Sequence, residues 1–99
     1  MVSNTVNRLG VYRKSIDKID NKIFRLLVKR LIIVKRIGSY KRANKIKIFD
    51  KARESQILKK IKKESKKYKM NEEYINNIFK SIMKTSKMMQ SRLVGGFFN

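Results

Sequence analysis

The sequence predicts an all-α fold of three helices, the first of them unusually long. Three observations carry that expectation. There is no Pro and there are only four Gly in 99 residues, two of them in the C-terminal tail, so little interrupts a helix. An apolar stripe runs Tyr12, Ile16, Ile19, Ile23, Leu26, Arg30, Ile33, Ile37, Tyr40 in steps of four and three, the heptad seam of a packed helix. Two cap signals, Asp50 and Asn71, then divide the remainder into two further helices.

The first helix is expected from about Asn4 to Ala43, some 35–40 residues or ~55 Å at 1.5 Å per residue. A helix of that length cannot bury its own stripe, so it needs a partner, most simply a second copy of the chain. The stretch Ala43 to Phe49 breaks the period and reads as a loop. Asp50 caps a second helix from Lys51 to about Lys66, with Ile57, Leu58 and Ile61 inward. After the basic connector Lys67 to Met70, Asn71 caps a third helix, with Glu72 and Glu73 in its first turn, where they complement the macrodipole. Its inner face carries Ile75, Ile78, Phe79, Ile82, Ser86, Met89 and Leu93. Gly95-Gly96 ends it. The chain therefore reads as a single domain over residues 1–99, with a core of about 4–93 and a flexible tail over 94–99.

Composition narrows the function. With no Cys there is no disulfide or thiolate chemistry, and with no His and no clustered carboxylates a transition-metal site is not expected. The first twelve residues lack a signal-peptide pattern, and the longest apolar run, Leu31 to Val34, is too short to span a bilayer. No membrane association is expected, and the expected setting is cytoplasmic. The formal charge of +20 is extreme for this length. Clustered Lys and Arg suit nucleic acid. Here, however, Lys is spread along every segment, alongside abundant Ile and Asn, as an AT-rich gene would encode. No RNP-like, zinc-finger or Gly-rich loop motif accompanies it, so no specific nucleic-acid partner is expected.

Polar groups interrupt the apolar faces of the helices. Arg30 lies in the seam of the first, and a guanidinium cannot be neutralised. Either another segment brings it an acid, or the position is kept for an anionic ligand. Lys41 follows eleven residues later, almost three turns, on the same face. Arg53 and Glu54 open the second helix, and Ser86 and Gln90 lie one turn apart on the third. Each has an ordinary structural explanation alone: solvated first turns, interface hydrogen bonds, a cation at a helix end. Together they form a strongly cationic set with one acid and one amide, suited to a small polycarboxylate bearing a hydroxyl.

In order and spacing this set resembles the all-helical class of chorismate mutases. The matching residues are Arg13-Lys14-x-Ile16-Asp17-x-Ile19-Asp20-x-Lys22-Ile23, then Lys29-Arg30, Ile37-Gly38-x-Tyr40-Lys41, Asp50-x-x-Arg53-Glu54 and Ser86-x-x-x-Gln90, covering about Val11 to Arg92. The resemblance implies an intertwined homodimer, a six-helix bundle with the long first helices packed across each other. It implies the unimolecular rearrangement of chorismate to prephenate in aromatic amino-acid synthesis, with no cofactor. It also implies roles: Arg30 and Arg13 as carboxylate binders, Lys41 and Gln90 at the ether oxygen, Glu54 with the backbone at Asp50 at the ring hydroxyl, and Ser86 and Arg53 as further lining. Lys41, Gln90 and Arg30 are the expected catalytic residues. Arg13 and Arg30 are 17 residues apart on one helix, ~25 Å, so if both serve one site, Arg13 comes from the other chain. The chain departs from the family pattern in carrying Lys51 where many relatives have Pro, with a loop that also lacks Pro, and a looser loop is expected there. Two other readings stay open from sequence: an isochorismate-pyruvate lyase of the same fold, and a basic helical nucleic-acid-binding protein.

Overall fold

A computed structural model describes residues 4–91. They form three α-helices and no strand: α1, Asn4–Ala43; α2, Lys51–Lys67; and α3, Glu72–Ser91. The expected bounds of α1 and α2 and the expected start of α3 hold to within a residue or two. The expected inner-face position Leu93, the Gly95-Gly96 stop, the 94–99 tail and the far end of the family match at Arg92 lie outside the described residues. No helix among the described residues is long and apolar enough to cross a membrane.

The helix ends follow from local chemistry. Asp50 Oδ1 accepts from the Arg53 amide at 2.9 Å, and Asn71 Oδ1 accepts from the Tyr74 amide at 3.0 Å, so each side chain satisfies an otherwise unpaired donor of the first turn. The C-termini of α1 and α2 close in one and the same way. Ile46 N donates to Lys41 O at 2.8 Å and Lys45 N to Arg42 O at 3.3 Å; Met70 N donates to Ser65 O at 2.8 Å and Lys69 N to Lys66 O at 3.2 Å. These are two Schellman closures, and the residue in the left-handed conformation is a lysine in each: Lys45 at φ 54° and Lys69 at φ 52°. Glycine usually takes that position because a Cβ is strained there.

The chain divides into two compact units, one ending at Ile32 and one beginning at Ile33. In the first unit the apolar members of the α1 stripe are all exposed, from 50% at Ile23 to 62% at Leu26, and only Arg30 among the stripe residues there is half-buried. In the second unit α2 and α3 pack together, joined by the short connection 68–71. Its buried residues are Val34 and Gly38 of α1, Ser65 of α2, and Met83, Ser86 and Met89 of α3. Ile57, Leu58 and Ile61 of α2 and Ile75, Phe79 and Ile82 of α3 are half-buried, as expected of inner faces, whereas Ile78 stays exposed.

The face of α1 buried within the chain is not the heptad stripe, which was expected to need a partner. Ile33, Ile37 and Tyr40 are exposed, while Val34 and Gly38, one residue further on and about 100° around the helix, are buried. α1 therefore has two working faces, and the heptad stripe is the one this single chain leaves uncovered. The two buried serines are satisfied locally: Ser65 Oγ donates to Ile61 O and Ser86 Oγ to Ile82 O, both at 2.8 Å.

Candidate active site

Within the unit that begins at Ile33, two cross-helix contacts gather the polar residues singled out from sequence. The first joins α1 to α3. Lys41, half-buried in the last turn of α1, donates from Nζ to Gln90 Oε1 at 3.0 Å and to the Ile48 carbonyl at 2.9 Å. The Ile46 amide donates to the Lys41 carbonyl. Residues 44–50 thus hold this lysine at both backbone and side chain, so the Pro-free loop is tied where looseness was expected. An ammonium only donates, so the Gln90 oxygen faces it and the NH2 is the end left to donate elsewhere.

The second contact joins α2 to α3. Glu54, half-buried in the first turn of α2, places Oε1 3.8 Å from Lys87 Nζ. The same ammonium sits 4.3 Å from the centroid of the Phe49 ring, within cation–π range. Asp50, between Phe49 and α2, spends Oδ1 on the helix cap, and its carbonyl accepts from the Glu54 amide at 3.1 Å. Cap and acid are fixed together.

The remaining candidates fall as follows. Ser86 is buried on α3, one turn before Gln90. Arg53 is exposed, and its Nη1 donates to Gln56 Oε1 at 2.7 Å along the outside of α2. Arg30 is half-buried and Arg13 exposed, both on the part of α1 in the first unit. Among the described residues no three His, Cys, Asp or Glu side chains gather as a metal-ligand group.

Sequence reasoning missed Lys87. Its signal was present: it lies three residues before Gln90, so the two share a side of α3, and it follows Ser86 directly. In a chain with 27 Lys and Arg, one more lysine carries little information by itself. What the arrangement can do chemically is set by its groups: a fixed ammonium and an oriented amide side by side, with a carboxylate held at Lys87, three residues before that amide on α3. They suit an oxygen that gains negative charge beside a group that offers a hydroxyl.

Comparison with known proteins points the same way. Residues 12–91 match the sequence profile of the family described as chorismate mutase type II. The chain is 37% identical over 93 residues to a protein of Buchnera aphidicola subsp. Acyrthosiphon pisum named bifunctional chorismate mutase/prephenate dehydratase, covering 94% of this chain and 24% of that one. A protein of the same name from Buchnera aphidicola subsp. Schizaphis graminum is 36% identical over 93 residues, with the same coverage. The chain thus spans about a quarter of the length of these two relatives. It is also 32% identical over 87 residues to a protein of Methanocaldococcus jannaschii named chorismate mutase, covering 88% of each.

Proposed function

The chain belongs to the type II chorismate mutase family, and we propose on that basis that it converts chorismate to prephenate by an intramolecular [3,3] rearrangement, with Lys41 and Gln90 at the reacting ether oxygen. The observation that carries the reading is the contact between those two side chains across α1 and α3.

The chemistry asks for little else. Both carboxylates of the substrate are anionic, so cations bind it. As the C–O bond breaks, negative charge grows on the ether oxygen. The Lys41 ammonium and the Gln90 NH2 stabilise that charge more than they stabilise the ground state, and this difference is what accelerates the reaction. Lys41 is already held by the Ile48 carbonyl, so little reorganisation is needed when substrate arrives. Arg30 is proposed to bind one carboxylate and Arg13 the other, which keeps the enolpyruvyl chain over the ring in a reactive shape. Glu54, with the backbone at Asp50, is proposed to accept from the ring hydroxyl. Ser86 and Arg53 are proposed as further lining.

The proposed assembly is an intertwined homodimer with Arg13 supplied by the partner subunit. Supporting it are the exposed heptad stripe of α1 and the ~25 Å that separates Arg13 from Arg30 along one helix, too far for one molecule of chorismate's size to reach both. Each isoleucine or leucine of that stripe is about half exposed and offers a partner roughly 0.8–1.5 kcal/mol on burial of that half. The proposed setting is the cytoplasm.

The deciding experiment is a spectrophotometric assay of purified protein with chorismate, with the product identified by chromatography. Prephenate formation that is lost in Lys41→Ala and Gln90→Ala supports the reading. No turnover of chorismate, or pyruvate released from isochorismate instead, sinks it.

A further inference from the structure

The proposed roles give Lys87 no part, yet it stands beside the one acidic side chain they do use. Its Nζ is 3.8 Å from Glu54 Oε1 and 4.3 Å from the Phe49 centroid, and three residues further along α3 Gln90 meets Lys41. The lysine side chain is 42% exposed and that of Glu54 31%, so the pair sits at the rim of the second unit, with water reaching both. Two anchors, a ring face and a carboxylate, restrict a side chain that would otherwise sample many rotamers.

The spacing of this pair is informative. At 3.8 Å the ammonium attracts Oε1 without a short hydrogen bond. An ionised carboxylate has two oxygens and about four acceptor sites, so one contact of this kind leaves most of its capacity unused. A tight bidentate pair would compete with an incoming hydroxyl. This loose one turns Oε1 toward α3 and leaves Oε2 to accept. The same ammonium lies over the Phe49 ring.

We infer that Lys87 is a positioning residue: held over Phe49, it orients the Glu54 carboxylate so that its second oxygen receives the ring hydroxyl of the substrate. The inference rests on the proposed role of Glu54 and deepens it. Lys87 touches neither the breaking bond nor the substrate carboxylates, so its contribution belongs to substrate binding and depends on the hydroxyl. The Lys41–Gln90 pair does its work without it, and kcat is insensitive to it.

The test compares chorismate with an analogue lacking the ring hydroxyl. That analogue keeps both carboxylates and therefore controls for the loss of one positive charge. KM and kcat are measured for the unsubstituted protein, Lys87→Met, Lys87→Arg and Glu54→Ala, with folding checked by circular dichroism. With chorismate, Lys87→Met is expected to raise KM about two- to fivefold, the range for partly exposed ion pairs, with kcat little changed. With the analogue, KM is expected to be the same in both proteins. Lys87→Arg, which keeps the charge and the ring contact, restores the KM for chorismate. Two results overturn the inference while leaving Glu54 in its role: Glu54→Ala discriminating between the two substrates while Lys87→Met does not, or Lys87→Met weakening both equally, as a simple tether between α2 and α3 would. If Glu54→Ala itself treats the two substrates alike, the role of Glu54 falls and the inference falls with it.

Discussion

Lys41 Nζ and Gln90 Oε1 lie 3.0 Å apart, and this contact decides which end of the Gln90 amide is offered to a ligand. An ammonium has no lone pair, so the amide oxygen is committed to it and the NH2 points away. A carboxylate at the same position would satisfy Lys41 equally well and present an anion in place of a donor.

Gln90→Glu is accordingly expected to make activity acid-dependent. Ionised, the new side chain repels the oxyanion that develops at the ether oxygen; protonated, it donates to it. The substituted protein should be poor at neutral pH and improve as pH falls, while the unsubstituted protein shows no such rise. A kcat/KM profile from acid to neutral pH checks this, and a flat profile in a folded variant would remove Gln90 from the reacting centre.

Arg30→Ala should lower kcat/KM by about a hundredfold or more, the usual cost of removing one side of a desolvated charge pair, while α1 and the oligomeric state persist. Mixing Arg30→Ala chains with Arg13→Ala chains should then restore activity. Each mixed dimer has one intact site, and about half of the dimers are mixed, so roughly a quarter of full activity returns. Mass spectrometry confirms exchange. Exchange without recovery argues that both arginines serve one chain.

Ile19→Lys with Ile23→Lys should convert the proposed dimer to a monomer in light scattering. Both side chains are about half exposed in the single chain, so the substitution costs little there and removes roughly 0.8–1.5 kcal/mol per isoleucine from an interface that buries the exposed half. Persistence of the dimer would place the interface on another face of α1.

Lys69→Gly should stabilise the fold. The left-handed conformation costs a residue with a Cβ about 1–2 kcal/mol, and the added freedom of glycine in the unfolded chain returns about half of that. A net gain of about 0.5–1 kcal/mol is expected in urea unfolding. Asp50→Ala should do the opposite by about 1 kcal/mol, because the Arg53 amide loses its acceptor. A Lys69→Gly variant no more stable than its parent would mean that some contact of the lysine offsets the strain.

The helices were legible because their signals are local. A heptad period, a missing Pro and two cap residues act within a few residues of where they stand; α1 ends where its period breaks, and α2 and α3 begin directly after their caps. Pairing was less legible. That Lys41 meets Gln90 depends on 48 intervening residues, and only the resemblance of the whole pattern to a family pointed to it. Two features escaped for identifiable reasons. Val34 and Gly38 are buried although they lie off the seam, because the seam was the stronger periodic signal on α1 and Gly carries no apolar side chain to mark a face. Lys87 escaped because its spacing to Gln90 is an ordinary one in a chain with 27 Lys and Arg, and what sets it apart is where Phe49 and Glu54 stand in space.

Residues 44–50 link two helices at the surface, where chains ordinarily vary in length without harm. Here the Ile46 amide and the Ile48 carbonyl both fasten on Lys41, so one added or deleted residue in this segment would change where its ammonium points. The loop should therefore accept new side chains far more readily than a new length. Seven residues between α1 and α2 is then a dimension of the chemistry, and a scan of single-residue insertions would lose turnover here long before it loses helix.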